Sequence, residues 1–531
     1  MPSLASLFDT FPLPIHSPVP NTSITGIAID SRKVRPGDLF IVLSGPPTDG
    51  HRFVPDAIAR GAAAVVGSEA LEGLAVPYIR VSNSRQAATY LAAAFYGWPG
   101  KKLTVIGVTG TDGKTTTANL LYQALRAAGF ATGLVSTVNA VIGDEVLDTG
   151  FHVTTPDAPD VQRYLARMVA AGLTHVVLET TSHGLSQHRV DASLYDIAAV
   201  TNITHEHLNE HGSLANYQAA KARLFRLLAE TPQKATACPH LAVLNRDDGS
   251  YAFLPDVVRI ANDSLPPESR IRSVSYGLTP AADVRAANIR YLPAGIVFDA
   301  MGPGFCVPVQ SKLVGAFNVS NCLAALAVAV VGLGASPEAA ARGIAALEGI
   351  PGRMERIDLG QPFTAIVDFA HTPNALKNAI ETVRQLTGRR VIVVFGSAGL
   401  RDKEKRRMMA EVSAELADLT ILTAEDPRTE SLDGILAEMA AAAGSRGGVD
   451  GETFWRVPDR GDALRFAVSL AQPGDIVMAC GKGHEQSMCF GETEYPWDDR
   501  TAMRAALAGR LGDTGPAMPY LPTSSQSAVP A

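Results

Sequence analysis

The stretch Leu103-Thr-Val-Ile-Gly-Val-Thr-Gly-Thr-Asp-Gly-Lys-Thr-Thr-Thr117 contains the strongest structural signal in the chain. Its first half is a run of apolar and β-branched residues, which predicts a buried strand over 104–108. A turn with Gly110 and Gly113 follows, and a helical pattern then runs over 118–128. Because the backbone amides of such a turn and the positive end of the helix face an anion, the stretch predicts a phosphate-binding loop.

The glycine spacing differs from that of the common phosphate-loop motif, G-x-x-x-x-G-K-[ST]. That motif requires glycine at position 108, where this chain has valine. Strand, turn, lysine, threonines and helix nevertheless occur in the expected order, which favours a nucleotide site over a glycine-rich turn with a chance lysine. In such a loop Lys114 reaches the terminal phosphates of ATP or a similar nucleotide, and the Thr115 hydroxyl can ligate Mg²⁺.

Length and composition exclude several classes of protein. At 531 residues the chain is too long for one core, and about three domains are expected. With 46% apolar residues, 19% charged residues and a net charge of −7, it has no general attraction to nucleic acid or anionic membranes. The cysteines form no C-x-x-C pair, and the longest apolar run, 322–333, is too short to span a bilayer. We expect a cytoplasmic monomer with no nucleic-acid partner and no stable membrane insertion.

The order of strand and helix patterns predicts an α/β protein of three domains. Residues 1–98 form an opening α/β unit. Over 99–349, strand patterns alternate with helical ones, which indicates a mostly parallel sheet covered on both faces, and 283–309 reads as a small antiparallel insertion. Residues 350–511 predict a second doubly wound sheet. The tail, 512–531, is rich in Pro, Ser, Thr and Ala and is expected to be disordered.

A carboxylate ends one strand pattern of the central unit, His175–Glu179. Ligands of open α/β sheets bind at the carboxyl ends of the strands. Because Mg²⁺ prefers hard oxygen ligands, Glu179 is a natural ligand for the Mg²⁺ of a bound nucleotide. The alternative is an acid that caps the next helix.

Three histidines and two acids lie within 205–211. They could bind zinc, although the order is not H-E-x-x-H and no cysteine accompanies them. A phosphoryl-transfer site that needs one histidine and one acid near Mg²⁺ fits as well. Lys221 follows in a helical pattern, where a solvated lysine on the helix face is the ordinary interpretation.

Polar motifs follow four strand patterns of the C-terminal unit, and they begin at Asp368, Arg401, Glu425 and Gly481. Each motif by itself could be a turn. Because parallel strands place their carboxyl ends at one edge of a sheet, the four motifs together predict a common binding site.

These motifs resemble those of the Mur ligase family, ATP-dependent amide-forming enzymes of peptidoglycan precursor synthesis. The resemblance rests on Thr109–Thr116, Asn318-Val-Ser-Asn321, Gly352-Arg353 and the histidine-rich segment. It covers nearly the whole chain except the tail. Further motifs are similar to those of the members that add the third, diamino residue of the peptide: Asp30-Ser31-Arg32, Asp49-Gly50-His51, Ser182-His183-Gly184, Gln187-His188-Arg189, Asp368–Pro373 and Gly481–Glu485.

The resemblance implies an N-terminal domain that grips UDP, a central ATPase domain and a Rossmann-like C-terminal domain that closes over the site. The implied reactants are UDP-MurNAc-L-Ala-D-Glu, a diamino acid, and ATP with Mg²⁺. The γ-phosphate activates the D-Glu carboxylate as an acyl phosphate, and the incoming amine converts it to an amide. The implied role is in cell-wall synthesis, and through it in cell shape and division.

The resemblance also implies roles for individual residues. Those expected to contact the nucleotide are Gly110, Thr111, Asp112, Gly113, Lys114, Thr115, Thr116, Asn321, Arg353 and Asp368. The expected Mg²⁺ ligands are Thr115, Glu179, His207 and a carbamylated Lys221, and the expected catalytic set is Lys114, Glu179, His207 and Lys221. Contacts to the UDP-sugar peptide are expected from Ser31, Thr154, Thr155, Thr181, Gln187 and Arg189. The expected pocket for the incoming amino acid consists of Arg401, Glu425, Asp426, Arg428, Gly481 and Glu485.

One position departs from the family pattern. Members that add diaminopimelate usually have Asp-Asn-Pro-Arg where this chain has Glu425-Asp426-Pro427-Arg428. Arg428 supplies a bidentate fork for a carboxylate and favours diaminopimelate. The added acid, Asp426, could equally favour the bare ammonium group of lysine or ornithine, and both interpretations stay open.

Two more distant alternatives are a folylpolyglutamate or cyanophycin ligase and a non-catalytic nucleotide-binding homologue. Asp30-Ser31-Arg32 in the N-terminal unit argues against the first. The presence of Lys114, Glu179, His207 and Lys221 argues against the second.

Overall fold

The computed structural model of the chain describes residues 1–45, 49–147, 154–204, 212–236, 238–292 and 295–524. Along the chain its strands form sheets of four, eleven and six strands and a final two-stranded hairpin. The predicted α/β class is confirmed. None of the helices in the described ranges is both long and apolar enough to cross a bilayer.

The N-terminal sheet is small and entirely parallel. Its strands β1 to β4 are adjacent in chain order and comprise Gly26–Ala28, Asp38–Ile41, Ala64–Gly67 and Tyr78–Arg80. The helices α1 to α3 are Leu4–Phe8, Val54–Ala59 and Ser84–Phe95.

The central sheet is the largest. Its strands β5 to β15 are Thr104–Thr109, Thr132–Val135, Ala140–Ile142, Glu145–Leu147, His175–Glu179, Ile197–Val200, Leu241–Asn245, Arg272–Gly277, Val284–Leu292, Gly295–Gly302 and Phe305–Ser311. Their order is β15-β14-β13-β12-β11-β10-β5-β9-β6-β7-β8. Strand β5 is buried along its whole length between β9 and β10, so the phosphate loop leaves from the middle of the sheet. The predicted antiparallel segment is confirmed in β13 to β15, which extend this sheet.

Helices cover both faces of the central sheet. They are α4 (Lys114–Ala127), α5 (Ala158–Ala170), α6 (Ser182–Ser186), α7 (Leu214–Glu230), α8 (Leu254–Asp263), α9 (Phe317–Leu326) and α10 (Pro337–Ala346). One hydrophobic cluster joins α4, α9 and α10 to the sheet, and a second joins α5, α7 and α8 to it. Helix α4 begins four residues before its predicted start, directly after Gly113.

The C-terminal sheet contains β16 to β21, which are Glu355–Ile357, Thr364–Asp368, Val391–Phe395, Leu419–Leu422, Phe454–Arg456 and Ile476–Cys480. Its order is β16-β17-β21-β18-β19-β20, and only β16 is antiparallel to its neighbour. The helices α11 to α15 are Pro373–Arg384, Lys403–Leu416, Leu432–Ser445, Arg460–Leu470 and Asp499–Leu511. A hairpin of β22 (Ser487–Phe490) and β23 (Thr493–Pro496) precedes the last helix.

The chain after α15 packs against the C-terminal sheet as far as Ser524. Leu521 is fully buried in the core that contains Trp497. The hydroxyls of Thr523 and Ser524 donate to Asp459 Oδ2 at 3.0 and 2.9 Å. This differs from the disordered tail expected from composition, because one leucine and one accepting carboxylate anchor a stretch that is otherwise polar.

We expect Leu521→Ala to lower the free energy of unfolding of the C-terminal domain by about 2–4 kcal/mol, since it leaves a cavity in the core. Tyr520→Ala is the control, because Tyr520 is 65% exposed. The fluorescence of Trp455 and Trp497 during urea unfolding reports the transition. Equal midpoints for the two variants would show that the tail does not belong to this core.

Candidate active site

The phosphate loop, residues 110–116, is fixed in position by the segment that follows β10. Thr111 N donates to Asn202 O at 2.7 Å, and Asp112 N donates to Asn202 Oδ1 at 2.9 Å. Asp112 O accepts from the Thr201 hydroxyl at 2.6 Å and from Asn202 Nδ2 at 3.1 Å. These bonds fix the loop to the end of the neighbouring strand, so the first turn of α4, whose amides lack helical acceptors, is left for an anion.

Two glycines make this close fit possible. A Cβ on Gly110 would lie 1.8 Å from Thr201 Oγ1, and a Cβ on Gly113 would lie 2.6 Å from Asn321 Oδ1. Gly113 also has a φ of +79°, which disfavours other residues. Position 108, by contrast, belongs to the buried strand, where valine packs well. This packing explains why the glycine spacing departs from the common motif.

A carboxylate and a hydroxyl meet at the start of α4. Thr115 Oγ1 donates to Glu179 Oε1 at 2.9 Å, and Glu179 Oε2 accepts from Thr137 N at 2.9 Å. Glu179 is buried, and Thr181 caps the following helix. The helix-cap interpretation of Glu179 is therefore wrong. Hard oxygens in this arrangement are the kind that Mg²⁺ prefers.

Two lysines contact carbonyl groups of the loop. Lys114 Nζ donates to Thr111 O at 2.6 Å. Lys221 Nζ donates to Gly110 O at 2.6 Å and lies 4.5 Å from the centre of the Tyr217 ring. Lys221 is only 1% exposed, so the interpretation as a solvated lysine is wrong. His207 and the other residues of 205–211 lie outside the described residues, and the role expected for His207 stays a prediction.

A cavity of about 890 Å³ extends from the phosphate loop to the C-terminal domain. Its walls are apolar at Leu313, Val314, Phe317 and Ile350, and polar at Asn318, Asn321, Arg353 and Asp368. An apolar cleft with a few convergent polar groups suits a nucleoside, and the loop at one end suits its phosphates.

Two contacts cross the cleft between the central and C-terminal domains. Arg353 Nη2 donates to Thr115 Oγ1 at 3.2 Å, and its guanidinium carbon lies 4.4 Å from the centre of the Phe369 ring. Asn374 Nδ2 donates to Asp112 Oδ2 at 3.1 Å. Both contacts end on the phosphate loop, so the C-terminal domain is closed onto the nucleotide site.

Most of the residues expected to contact the UDP-sugar peptide form one group beside Glu179. Thr155 Oγ1 donates to Glu179 O at 3.2 Å and accepts from Thr181 N at 3.0 Å. Arg189 donates to Gln187 Oε1 through Nη2 at 2.8 Å and to Thr155 O through Nη1 at 2.9 Å. This group therefore lies next to the carboxylate that faces the phosphate loop.

The two other residues of this set are placed differently. Thr154 precedes Thr155 in the chain and is half-buried. Ser31 lies in the turn after β1 of the N-terminal sheet. Among the described residues no hydrogen bond joins Ser31 to the group around Thr155.

The polar motifs of the C-terminal domain converge as predicted. Gly481 N donates to Asp368 O at 3.1 Å, and a Cβ on Gly481 would lie 2.1 Å from Glu425 Oε2. Gly399 N, two residues before Arg401, donates to Asp426 O at 2.9 Å. The end of β17 and the segments that follow β18, β19 and β21 are therefore in direct contact.

Buried polar atoms without a hydrogen-bond partner in the described ranges mark this pocket: Arg353 Nε, Glu425 Oε2 and His484 Nδ1. Burial raises the pKa of Glu425, against the nearby cations Lys405 and Arg460. Burial, together with the charge of Arg353, lowers the pKa of His484 to about 3, so its imidazole is neutral. Because buried polar atoms are rarely left unpaired, these three atoms have hydrogen-bonding capacity left for ligand groups.

Asp426 pairs with a buried lysine inside the protein. Its Oδ1 and Oδ2 lie 3.0 and 3.1 Å from Lys482 Nζ, and Oδ1 accepts from Cys489 N at 2.9 Å. Glu485 Oε2 lies 2.5 Å from the same ammonium. Burial alone would lower the pKa of Lys482, but Glu485 and Asp426 outweigh it and raise that pKa. Arg428, in contrast, makes no ion pair with any described residue.

Several residues of the site were not predicted from the sequence. Lys482 lies inside the predicted motif Gly481–Glu485 and Asn202 lies two residues after β10, but nothing local shows which atoms they bind. Thr137 and Asn374 carry no local signal, because each acts on a residue far away in the chain.

A second cluster of possible metal ligands, Asp49, His51 and Glu69, lies in the N-terminal domain. His51 Nδ1 is 2.6 Å from Asp49 Oδ1, and His51 Nε2 accepts from Ser68 N and Glu69 N at 3.2 and 3.3 Å. Both ring nitrogens are therefore used within the fold, and this histidine has a structural role.

Comparison with protein families gives three matches in chain order. They are the Mur ligase family catalytic domain over residues 23–96, the Mur ligase middle domain over 108–329, and the Mur ligase glutamate ligase domain over 352–483.

Individual relatives span the same range. The UDP-N-acetylmuramyl-tripeptide synthetase of Roseiflexus sp. is 45% identical over 93% of this chain and 96% of its own. The UDP-N-acetylmuramoyl-L-alanyl-D-glutamate–2,6-diaminopimelate ligase of Geobacillus kaustophilus is 42% identical over 92% and 96%. A solved structure of a ligase of the latter name matches with a TM-score of 0.64 and 31% identity over 96% of this chain and 99% of its own.

These matches confirm the family and the enzyme class that the motifs predicted. The chain belongs to the Mur ligase family.

Proposed function

We propose that this protein is an ATP-dependent ligase that adds meso-diaminopimelate to the D-Glu carboxylate of UDP-MurNAc-L-Ala-D-Glu. The observation that carries the proposal is the position of Glu179. Its side chain accepts from Thr115 of the phosphate loop, and its backbone carbonyl accepts from Thr155 of the group expected to bind the UDP-sugar peptide. A terminal phosphate and the substrate carboxylate would therefore meet beside this residue.

The reaction has two steps. A carboxylate oxygen of D-Glu attacks the γ-phosphorus of ATP, the bond from that phosphorus to the ADP oxygen breaks, and ADP leaves. The amine of the incoming amino acid then attacks the acyl carbon and loses a proton, and phosphate leaves as the amide forms. Lys114 and the first amides of α4 offset the charge of the phosphates, and the closed domains orient the amine and exclude water.

The residues at the loop fit a magnesium ion, since Thr115 and Glu179 present hard oxygens 2.9 Å apart. Mg²⁺ would supply positive charge between phosphate and carboxylate, and Thr115, Glu179, His207 and Lys221 are the residues proposed to hold it. For Lys221 this role requires carbamylation, which replaces an ammonium by a carboxylate-like group. The burial of Lys221 beside Gly110 supports the proposal, because the modified end would face the loop.

Each domain has a proposed role. Residues 1–98 bind the UDP part through Ser31, residues 99–349 bind ATP, and residues 350–511 bind the incoming amino acid. The cavity lined by Asn321, Arg353 and Asp368 supports a nucleoside site between the last two domains.

Diaminopimelate is favoured because Asp426 already has a cationic partner inside the protein. Its carboxylate is paired with buried Lys482, whereas Arg428 is left without an ion pair among the described side chains. A guanidinium on the pocket rim suits the second carboxylate of diaminopimelate, which lysine and ornithine lack. The unpartnered Glu425 Oε2 suits an ammonium group of the same ligand.

A competition assay tests the proposed function. The enzyme is incubated with ATP, UDP-MurNAc-L-Ala-D-Glu and an equimolar mixture of diaminopimelate, lysine and ornithine, and the product is weighed by mass spectrometry. We expect the mass of the diaminopimelate adduct. Exclusive addition of lysine or ornithine would contradict the argument from Asp426, and no adduct at all would contradict the proposed reaction.

We expect Arg428→Met to lower kcat/KM for diaminopimelate by about 10- to 150-fold, the range for a lost hydrogen bond to a charged group. Asp426→Asn should keep diaminopimelate as the preferred substrate, because the amide oxygen can still accept from Lys482 and Cys489. Steady-state kinetics with each amino acid measure both effects. A switch of preference in Asp426→Asn would show that the acid selects the substrate.

We expect Lys221→Ala to lose activity by about 100-fold or more, because the charge that offsets the phosphates is no longer held in place. Lys221→Arg, which keeps a cation but forms no carbamate, should be equally inactive. Nuclear magnetic resonance after incubation with isotope-labelled bicarbonate should show a carbamate carbon only in the wild type. Full activity of Lys221→Ala without bicarbonate would refute the carbamate.

A further inference from the structure

Two loops that carry the expected amino-acid pocket contain strained backbone. Leu400, Asp426 and Arg428 are not glycines, yet their φ values are +56°, +41° and +54°. Residues other than glycine are uncommon in this left-handed conformation, and those that adopt it cluster at functional sites. Leu400 precedes Arg401, so the strain on one loop lies next to a residue expected to contact the ligand.

The two loops touch each other directly. Gly399 N donates to Asp426 O at 2.9 Å, and a Cβ on Gly399 would lie 1.9 Å from Pro427 O. The distance between Arg401 and Arg428 is therefore set by how these loops are held together.

One residue, Glu430, contacts both loops, one through its carboxylate and the other through its backbone amide. Its Oε2 accepts from Leu400 N at 2.8 Å, and its own backbone N donates to Pro427 O at 3.1 Å. It therefore holds the strained Leu400 on one side and the loop of Arg428 on the other.

A buried guanidinium fixes Glu430 in turn. Arg406, which is fully buried, donates through Nη1 to Glu430 Oε1 at 2.8 Å and through Nη2 to Glu430 Oε2 at 2.6 Å. Arg406 Nη2 also donates to Ala398 O at 3.2 Å. The bidentate pair leaves the carboxylate little freedom, so its bond to Leu400 N has a defined direction.

We infer that Glu430 is a positioning residue that sets the spacing of Arg401 and Arg428 and thereby the length of amino acid that the pocket accepts. The inference rests on the proposed function and goes beyond it, since Glu430 does not itself contact the substrate. Its carboxylate acts through the amide of Leu400, while its backbone amide connects it to the carbonyl of Pro427. Loss of its contact would let the 398–402 loop relax away from Arg428.

Glu438 provides a matched control. Its Oε2 accepts from the same guanidinium, Arg406 Nη1, at 3.1 Å. It makes no hydrogen bond to the 398–402 loop within the described parts of the chain. Glu430→Gln and Glu438→Gln therefore remove one negative charge each beside Arg406, but only the first replaces the charged acceptor of Leu400 N by a neutral and weaker one.

We expect Glu430→Gln to raise KM for diaminopimelate at least tenfold and to leave KM for ATP and for the UDP-dipeptide within twofold. Glu438→Gln should leave all three KM values within twofold. Glu430→Asp, which keeps the charge beside Arg406 but has a shorter reach, should give an intermediate KM for the amino acid. Equal behaviour of Glu430→Gln and Glu438→Gln, or a parallel rise of all three KM values, would overturn the inference.

Hydrogen exchange supplies a readout that does not need the reaction. The amides of 398–402 should exchange at least tenfold faster in Glu430→Gln than in the wild type, and at the wild-type rate in Glu438→Gln. If the loop loosens in this way but the wild type adds no diamino acid, the proposed function fails and the loop contact stands. If the wild type is active and its loop exchanges like that of Glu430→Gln, the positioning role fails alone.

Discussion

The hydrogen bonds from Asn202 to the phosphate loop are the constraint on which the site depends. One side chain and one peptide group hold Thr111 and Asp112 against the end of β10. The loop then connects β5 to α4 in a fixed geometry, and the first amides of α4 have no helical acceptor. Because Lys221, Arg353 and Asn374 all make contacts with this loop, a shift of the loop would disturb the nucleotide site and its contacts with the C-terminal domain.

Glu179 connects this loop to the residues expected to bind the UDP-sugar peptide. It is buried at the carboxyl end of β9. Its side chain accepts hydrogen bonds from the Thr115 hydroxyl and from Thr137 N, and its backbone carbonyl accepts from the Thr155 hydroxyl. A buried carboxylate is costly unless its oxygens are bonded, so these partners are needed for the fold as well as for the proposed reaction. The same geometry explains why the acid stands at a strand end and not in a helix cap.

In the C-terminal domain, buried cations stabilise the ends of the strands. Arg460 is fully buried, pairs with Asp499 at 2.6 Å, and donates to Ala424 O and Cys480 O at 3.1 and 2.8 Å. These carbonyls directly precede Glu425 and Gly481, so the guanidinium fixes both residues in the pocket. Lys482 does the same for Asp426. Breaking such a buried ion pair destabilises a protein, and here the pairs stabilise a pocket whose loops are strained.

Much of the fold could be predicted, because β5, β9 and the helix after the phosphate loop follow from local patterns of apolar residues and turns. The predicted ends of helices and strands were less accurate. Helix α4 starts at Lys114, because Gly113 adopts a left-handed conformation that periodicity does not reveal. Composition predicted a disordered tail, but the chain after α15 is packed against the C-terminal sheet as far as Ser524. Among the polar residues of this segment, Leu521 is buried, and its burial depends on neighbours that are distant in the chain.

Local sequence patterns were enough to predict the α/β class, the phosphate loop, the convergence of four motifs at one sheet edge, and the family. The folded structure was needed to show that Lys221 is buried, that Asn202 fixes the phosphate loop, and that Asp426 pairs with Lys482. The physical reason is the same in each case. Periodicity and turn residues are local properties, whereas the environment of a charge is set by groups that folding brings together from far along the chain.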